Sequence, residues 1–366
     1  MSRLPDDFLL ARLSRFRDDM RDAGADAVIV TNLINLRYLT RFSGTAGLGV
    51  ITQAKCCLLV DFRYVASARE AIAGAPIELA VVETTYDAAL IAWLRESGAR
   101  SVGVEAGSMT VSRFNLLAKT LGTTVALVPT ERLVERRRAV KDAYEVEVLR
   151  EAGRRLSRVA RDLRSFLRAG RTEREVAAQI DAAIRDAGFE RPAFETIVAS
   201  GPNGARPHAR PQARQVEESD GVVLDFGGVY DGYCVDLTRT LQVGRSAPEF
   251  GRLVTAVAEA QAAAIASVRP GIRPSEIDAA ARDTLARHGL ADAFGHGTGH
   301  GLGLEVHEEP RISRLPGALP DEPVVPGMVF TIEPGAYLEG LGGARIEDDV
   351  LVVEGGCEVL TDVPIE

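Results

Sequence analysis

Two aspartates in one predicted β-hairpin are the first residues whose types and spacing suggest chemistry. Residues 222–243 read VVLDFGGVYDGYCVDLTRTLQV, and the Asp231-Gly232 pair between two apolar runs is typical of a two-residue hairpin turn. With that turn, Gly227 faces Asp236 across the ladder and Asp225 lies one diagonal step away. Both aspartates then point to one side of the sheet, roughly 7–8 Å apart, which lets two carboxylates share a cation. Carboxylates among Val, Leu and Phe are costly unless they are paired or metal-bound.

A second group of polar residues lies in the glycine-rich segment 295–310. It reads GHGTGHGLGLEVHEEP and contains three of the five histidines in the chain. Glycine lets the backbone approach a ligand closely, and imidazole is the commonest metal ligand and the usual proton shuttle near neutral pH. Glu333 and Glu347 complete the set, because each follows an isoleucine at the end of a strand-like run. Either glutamate alone would be interpreted as a solvated surface residue.

Four carboxylates and one imidazole together predict a centre for two divalent cations. The set is Asp225, Asp236, His300, Glu333 and Glu347. Five ligands are too many for a closed structural zinc site, and they suit two hard or borderline ions bridged by carboxylates, as in two-metal hydrolases. Oxygen-rich ligation favours Mn²⁺, with Co²⁺ or Zn²⁺ as alternatives. The four cysteines form no C-x-x-C pair, so they predict neither a zinc site nor a disulfide framework.

The second half of the chain must position these groups, and its pattern alternates helices with short strands. Helices are predicted at 142–169, 172–187, 247–268 and 274–288, the second of them opened by a Thr-Glu-Arg-Glu capping box. Strands are predicted at 196–200, in the two hairpin arms, and at 328–333, 344–346 and 349–353. The order helix, helix, sheet, helix, helix, sheet suggests two similar halves, although no residue-level repeat is visible.

The first half of the chain alternates the same elements, which predicts an α/β layer domain. Helices are predicted at 5–23, 64–73, 88–96 and 113–121, and strands at 27–30, 48–52, 57–61, 77–82, 101–104 and 125–128. The glycine-rich stretch 44–49 lacks the ending of a P-loop, so nucleotide binding is not predicted. Because no catalytic cluster lies here, we expect this half to serve packing, dimerisation or access to a site elsewhere. A connecting helix is predicted within 129–139, with the basic run at 136–138 as its solvated end.

Composition excludes several classes of protein. The chain has 366 residues, enough for about two domains, and its net charge of −9 argues against a nucleic-acid or anionic-membrane partner. No apolar run is long enough to span a bilayer, and the first residues lack the apolar centre of a signal peptide. We therefore expect a cytoplasmic protein.

These motifs resemble those of the metallopeptidase family that contains Xaa-Pro aminopeptidases, prolidases and methionine aminopeptidases. The resemblance covers nearly the whole chain and is carried by the five-ligand set, the HGTGHGLGLEVHE segment and the IEPG segment. The NLRYLT and SGTAG stretches are similar to the amino-terminal domain shared with creatinase. The resemblance implies a creatinase-like α/β domain over residues 1–135 and an α+β catalytic domain of the pita-bread fold over 136–366. One departure is Arg41, where the family segment would have glycine.

The resemblance also implies roles for individual residues. The metal ligands would be Asp225, Asp236, His300, Glu333 and Glu347; the further site residues would be His208, His307, His296, Arg345 and Tyr337. Two divalent cations would activate water for attack on the carbonyl before proline, and Glu333 would also carry the proton to the leaving nitrogen. His208 and His307 would stabilise the oxyanion and hold the peptide. Arg345 would fix Glu347 or a nearby carboxylate, and Asp225 would also bind the substrate amine.

The expected activity is therefore metal-dependent hydrolysis of the bond preceding proline, which releases the N-terminal residue from Xaa-Pro peptides. A prolidase restricted to Xaa-Pro dipeptides would use the same ligands, so the motifs do not separate it from an aminopeptidase. The amino-terminal domain disfavours a methionine aminopeptidase, and the intact ligand set disfavours creatinase-type chemistry without metal. A non-peptidase binding scaffold on the same fold would have lost ligands. Relatives of this kind imply a homodimer.

Overall fold

The computed structural model describes residues 4–245, 247–314 and 321–365. The chain divides into two compact units, Met1–Arg138 and Ala139–Glu366. Among the helices of the described residues, none combines the length and the apolar character needed to cross a membrane.

The first unit is built on a six-stranded mixed sheet. Its strands are β1 (Ala27–Val30), β2 (Leu48–Thr52), β3 (Cys56–Asp61), β4 (Glu78–Val82), β5 (Ser101–Glu105) and β6 (Ala126–Thr130). The helices are α1 (Asp6–Asp22), α2 (Leu33–Thr40), α3 (Val65–Ile72), α4 (Tyr86–Ser97), α5 (Val111–Leu121) and α6 (Leu133–Ala139), which connects to the second unit in sequence. The strand order is β4-β3-β2-β1-β5-β6, antiparallel at β1–β2 and β2–β3 and parallel elsewhere. The predicted α/β layer architecture is confirmed.

Two local features of this unit differ from the sequence-based expectation. Helix α2 was not predicted, and it begins where the Asn32 side chain accepts hydrogen bonds from the N–H groups of Ile34 and Asn35. Arg41 ends that helix with φ at 65°, the left-handed conformation that favours glycine. Its guanidinium donates to the Asp6 carboxylate and the Ala71 carbonyl, contacts that glycine could not make.

The basic run at the end of α6 is solvated only in part, because Arg136 is exposed whereas Arg137 and Arg138 form contacts within the first unit. Arg138 is 2% exposed and donates to the side chain of Asn35 at 2.8 Å. Arg137 forms a two-pronged ion pair with Asp19. Both partners lie about 100 residues earlier in the chain, so local sequence gives no sign of them.

The second unit consists of five helices and eleven strands within its described residues. The helices are α7 (Ala143–Arg161), α8 (Leu163–Phe166), α9 (Glu173–Asp186), α10 (Pro248–Ser267) and α11 (Pro274–Arg287). The strands are β7 (Arg191–Pro192), β8 (Ile197–Ser200), β9 (Gly221–Tyr230), β10 (Tyr233–Gln242), β11 (Gly299–Gly301), β12 (Glu308–Ile312), β13 (Val329–Ile332), β14 (Gly335–Leu338), β15 (Gly342–Arg345), β16 (Asp348–Val353) and β17 (Gly356–Val359).

The strands of this unit form three sheets. In the first, β9 pairs with β10, β7 and β8. The second has the order β12-β11-β13-β16-β17, and β14 and β15 form a separate ribbon. Residues of α10 and α11 share a buried apolar cluster with β13 and β16, including Val257, Ile277, Phe330 and Val350. The predicted helix–sheet alternation is confirmed, and the sheets supply the edges on which the polar groups lie.

One predicted helix of this unit is interrupted. The sequence pattern predicts a single helix over 142–169, whereas α7 ends at Arg161 and the short α8 follows after Asp162. Leu163 and Phe166 are buried on the far side of this break. The apolar pattern therefore continues across the break and does not show where the helix ends.

Candidate metal centre

The β9–β10 hairpin places the first two candidate ligands. Asp231 and Gly232 both have positive φ, 48° and 80°, as a two-residue turn of this kind requires. The register sets Asp236 opposite Gly227 and Asp225 opposite Thr238, as predicted. A Cβ at Gly227 would lie 2.4 Å from the Val235 carbonyl oxygen, so this position excludes a side chain. Asp225 and Asp236 both line the same cavity.

The second sheet supplies the other three candidate ligands. His300 is the central residue of β11, and its N–H donates to the Thr331 hydroxyl of β13. Ile332 pairs with Asp348 at the end of the β13–β16 ladder. Glu333 directly follows that pair and Glu347 directly precedes it, so both glutamates lie at one end of the ladder.

The five predicted ligands line one cavity, although not all of them lie equally close together. Among the described residues, ligand atoms of Asp236, His300 and Glu347 all lie within 4.8 Å of one another. Glu333 Oε1 is 3.6 Å from His300 Nε2. Asp225 is instead bound through Oδ2 to the Arg345 guanidinium at 2.5 Å.

Three carboxylate oxygens in this cluster are buried without a hydrogen-bond partner in the described part of the chain. They are Asp225 Oδ1, Asp236 Oδ1 and Glu347 Oε1. The His300 imidazole also presents an acceptor to the cluster. His300 Nδ1 lies 3.2 Å from the Gly301 carbonyl oxygen, which can only accept, so in the neutral ring Nε2 is also an acceptor. Acceptors that converge in a buried site without donors require cations, so this donor set fits divalent metal ions.

The pKa values of Asp236, His300, Glu333 and Glu347 are shifted in the direction that keeps each group uncharged when no cation is bound. Burial, followed by the neighbouring carboxylates, raises the pKa of Glu347 to about 8. Burial also raises the pKa of Asp236 and of Glu333 well above their ordinary values, with Glu347 as the next cause in both. Burial lowers the pKa of His300 to about 3, so the ring is neutral and able to bind metal.

A chain of hydrogen bonds leads from the cluster to two further predicted site residues. Arg345 donates to Asp225 and, at 2.8 Å, to the Tyr337 hydroxyl. The hydroxyl lies 2.9 Å from His296 Nε2, and His296 Nδ1 lies 2.8 Å from the Gly297 carbonyl. Burial lowers the pKa of His296 to about 4, which keeps the ring neutral. The carboxylate that Arg345 binds is thus Asp225.

The cavity has a volume of about 860 Å³, and the other two predicted site histidines are among its lining residues. His208 and His307 line it and are exposed. The ring of His307 lies 4.2 Å from that of His300. Partial burial, followed by the charge of Arg311, lowers the pKa of His307. Both rings can therefore reach a ligand in the cavity without belonging to the carboxylate cluster.

Two residues at this site were missed by sequence reasoning. The Thr238 hydroxyl donates to Glu347 Oε2 at 2.6 Å, and its place two residues after Asp236 was the available signal. Arg311 lies opposite His300 in the β11–β12 ladder and lines the cavity. Within the described residues its guanidinium forms no hydrogen bond or ion pair. Nothing in the sequence distinguishes this arginine from the many others.

Comparisons with known proteins agree with this architecture. The family model described as metallopeptidase family M24 matches residues 147–354, and the creatinase/prolidase N-terminal domain matches residues 12–140. An uncharacterized peptidase, YqhT, of Bacillus subtilis is 36% identical over 97% of this chain and 99% of its own length.

Two solved structures are similar over nearly the full length of the chain. One is described as an Xaa-Pro dipeptidase from Bacillus anthracis, with a TM-score of 0.92 and 34% identity over 98% of this chain and 99% of that one. The other is described as an X-Pro aminopeptidase from Thermotoga maritima, with a TM-score of 0.85 and 33% identity over 95% of this chain and 99% of that one.

Proposed function

Because this chain belongs to metallopeptidase family M24, with a creatinase-type amino-terminal domain, we propose that it hydrolyses the peptide bond preceding proline in short Xaa-Pro peptides. The observation that carries the proposal is the cluster of buried carboxylate oxygens that have no donors and converge with the His300 acceptor on an open cavity. The similar solved structures are described as acting on Xaa-Pro substrates, which supports the choice of substrate class.

The predicted ligands would hold two divalent cations: Asp225, Asp236, His300, Glu333 and Glu347. When bound, such cations lower the pKa of water and polarise the scissile carbonyl. Glu333 lines the same cavity and would also take up the proton released by the attacking water and pass it to the proline nitrogen. His307 and His208 line the cavity and would donate to the carbonyl oxygen as negative charge develops there.

Asp225 would be held in place by a chain of three side chains. Arg345 binds it directly, Tyr337 binds Arg345, and His296 binds Tyr337. The guanidinium occupies Asp225 Oδ2 and leaves Oδ1 available, which would face a cation or the substrate amine. Tyr337 restrains the same guanidinium from its other side. A rigid Asp225 is useful because catalysis needs the ligands held in one geometry.

We further propose that the preferred substrate is a dipeptide, which was the alternative in the sequence-based expectation. A dipeptide carries its free carboxylate one residue beyond the scissile bond and needs a cation there. Arg311 is such a cation: it lines the cavity, and its guanidinium forms no hydrogen bond or ion pair within the described residues. A longer peptide would present an uncharged amide at that point.

The test is a length series with metal-free enzyme reconstituted with Mn²⁺. We expect Ala-Pro to be hydrolysed faster than Ala-Pro-Ala, and Ala-Ala to be left intact. Arg311→Gln should raise KM for Ala-Pro about 10- to 100-fold, the usual range for losing a charged hydrogen bond, and should change the tripeptide little. Arg210→Gln is the matched control, because Arg210 also lines the cavity but pairs with Glu195 and is largely exposed. Preferential cleavage of Ala-Pro-Ala would contradict the dipeptide preference and support an Xaa-Pro aminopeptidase instead.

Three further predictions have different sources: the oxygen-rich ligand set for the metal, the resemblance for the assembly and composition for the location. Mn²⁺ is the expected metal, a homodimer is the expected assembly and the cytoplasm the expected location. The domain boundary near residue 135 also stays a prediction. Elemental analysis of active protein and light scattering would test the first two.

A further inference from the structure

Two buried carboxylates lie outside the metal centre. Each accepts several hydrogen bonds from a different segment, and each segment carries at least one of the predicted site histidines. Asp278 is on α11 and Glu173 is the first residue of α9, and both are fully buried. Neither belongs to the predicted ligand set or lines the cavity. What they share is that each accepts backbone N–H groups from a segment outside its own helix.

Asp278 binds the segment between two of the site histidines. Its Oδ1 accepts both the N–H of Thr298, at 3.1 Å, and the Thr298 hydroxyl, at 2.7 Å. The carbonyl oxygen of Thr298 in turn accepts the N–H of Glu333 at 2.7 Å. A single threonine therefore connects Asp278 to the backbone of one predicted ligand, and it lies two residues before another, His300.

Arg282 extends this arrangement by one helical turn. Its Nε donates to Asp278 Oδ2 at 2.7 Å, and its terminal nitrogens donate to the carbonyls of Phe294 and His296. The guanidinium also stacks over the Phe294 ring at 4.3 Å. Together Asp278 and Arg282 bind the segment at residues 294, 296 and 298, immediately before His300.

Glu173 makes the equivalent contacts on the other side of the cavity. Its Oε1 accepts the N–H of Ser200 at 2.8 Å, the Ser200 hydroxyl at 2.7 Å and the Asn203 amide at 3.0 Å. Its Oε2 accepts the N–H of Gln212 at 2.9 Å. These contacts close the loop that carries His208.

The two arrangements are alike in the donors that they use. In each, a buried helix carboxylate accepts both the N–H and the hydroxyl of a Ser or Thr in or beside a short strand. Both segments also need such support. The 295–303 segment is rich in glycine, and glycine loses more conformational freedom on ordering than any other residue. The loop after Ser200 has only a short 3₁₀ turn, Gly201–Ala205.

We propose that Asp278 and Glu173 are positioning residues with separate targets: Asp278 orients His300 and Glu333 for metal binding, and Glu173 orients His208 for substrate. This inference rests on the proposed function, because it assigns the two loops to metal and substrate. It predicts that removing each carboxylate produces a different defect, whereas a purely structural role would produce a loss of stability alone.

The experiment compares Asp278→Asn and Glu173→Gln with Glu105→Gln as a matched control. Glu105 is a buried carboxylate of the first unit with the same kinds of donor: the N–H and hydroxyl of Thr31, the N–H of Asn32 and the amide of Asn35. For each protein we would measure the Kd for Mn²⁺ by calorimetry on metal-free protein, kcat and KM for Ala-Pro with saturating Mn²⁺, and the thermal midpoint.

The expected results differ for the three variants. Asp278→Asn should weaken Mn²⁺ binding about 10- to 100-fold, the usual cost of losing a group that orients metal ligands. Glu173→Gln should leave the Kd for Mn²⁺ within about twofold and lower kcat about 10-fold or more, since His208 is placed to stabilise the oxyanion. Glu105→Gln should lower the thermal midpoint without changing either quantity beyond about twofold.

Two less disruptive variants test the same contact if Asp278→Asn does not fold. Thr298→Val removes one donor to Asp278 at nearly constant volume and should weaken Mn²⁺ binding, and Thr298→Ser should restore it. Wild-type Kd values for Mn²⁺ in both Asp278→Asn and Thr298→Val, or equal effects of Glu173→Gln and Glu105→Gln on kcat, would overturn the inference. If the wild-type protein neither binds Mn²⁺ nor cleaves Ala-Pro, the proposed function itself has failed.

Discussion

Removing the metal should make the stability of this protein fall as pH rises, opposite to the usual behaviour of carboxylates. Burial raises the pKa of Glu347 from 4.5 to about 8 in the folded, metal-free protein. Between those values the folded state binds a proton that the unfolded state has released. The stabilisation is therefore fully present below about pH 4.5 and is lost as pH rises through about 8.

The magnitude follows from the size of the shift. Each pKa unit corresponds to about 1.4 kcal/mol, so the change at Glu347 amounts to about 5 kcal/mol across this range. Asp236 and Glu333 shift in the same direction and act in the same sense. A typical domain has a total stability of only about 5–15 kcal/mol, so the effect is measurable.

The assay is urea unfolding of chelator-treated protein at pH values from 5 to 8.5, repeated with saturating Mn²⁺. We expect the free energy of unfolding of the metal-free protein to decrease toward pH 8. Mn²⁺ should stabilise the protein most at high pH, because binding requires deprotonated ligands. Glu347→Gln is the control, since it keeps an acceptor for Thr238 but cannot titrate, and it should reduce the slope while Asp236 and Glu333 maintain the rest. A metal-free stability that stays constant or rises from pH 5 to 8 would refute the reasoning.

Two further predictions concern single residues. His307→Ala should lower kcat about 10²–10³-fold, the usual cost of one oxyanion donor, while the Mn²⁺ content measured by elemental analysis stays unchanged; full turnover would remove His307 from the mechanism. Gly299→Ala should destabilise the protein by at least about 1–3 kcal/mol in urea unfolding, because its Cβ would lie 1.8 Å from the Thr331 carbonyl oxygen. Unchanged stability would mean that the His300 segment is not packed against β13 as described.

Local features of the fold were predictable because their causes lie within a few residues. The Asp231-Gly232 turn sets the register of the hairpin, and the alternation of side chains then brings Asp225 and Asp236 to one face. The capping box that opens α9 is present with both of its reciprocal hydrogen bonds. Strand β1, at residues 27–30, matches its predicted bounds for the same kind of reason.

Long-range contacts were not predictable, because no periodicity or spacing encodes them. Arg345 binds Asp225 across 120 residues of sequence, and Arg138 is buried against Asn35 across 103. The break after α7 was also missed, because the buried Leu163 and Phe166 continue the apolar pattern beyond it.

The sequence by itself determined which residue types could bind a pair of cations and which of them share a strand face, because turn chemistry and side-chain alternation act locally. Only the tertiary structure decided which acceptors lack donors among the described residues, which cavity arginine has no hydrogen bond or ion pair there, and which distant carboxylates bind the histidine segments. Those outcomes depend on how the sheets and helices pack, and packing is a property of the whole fold.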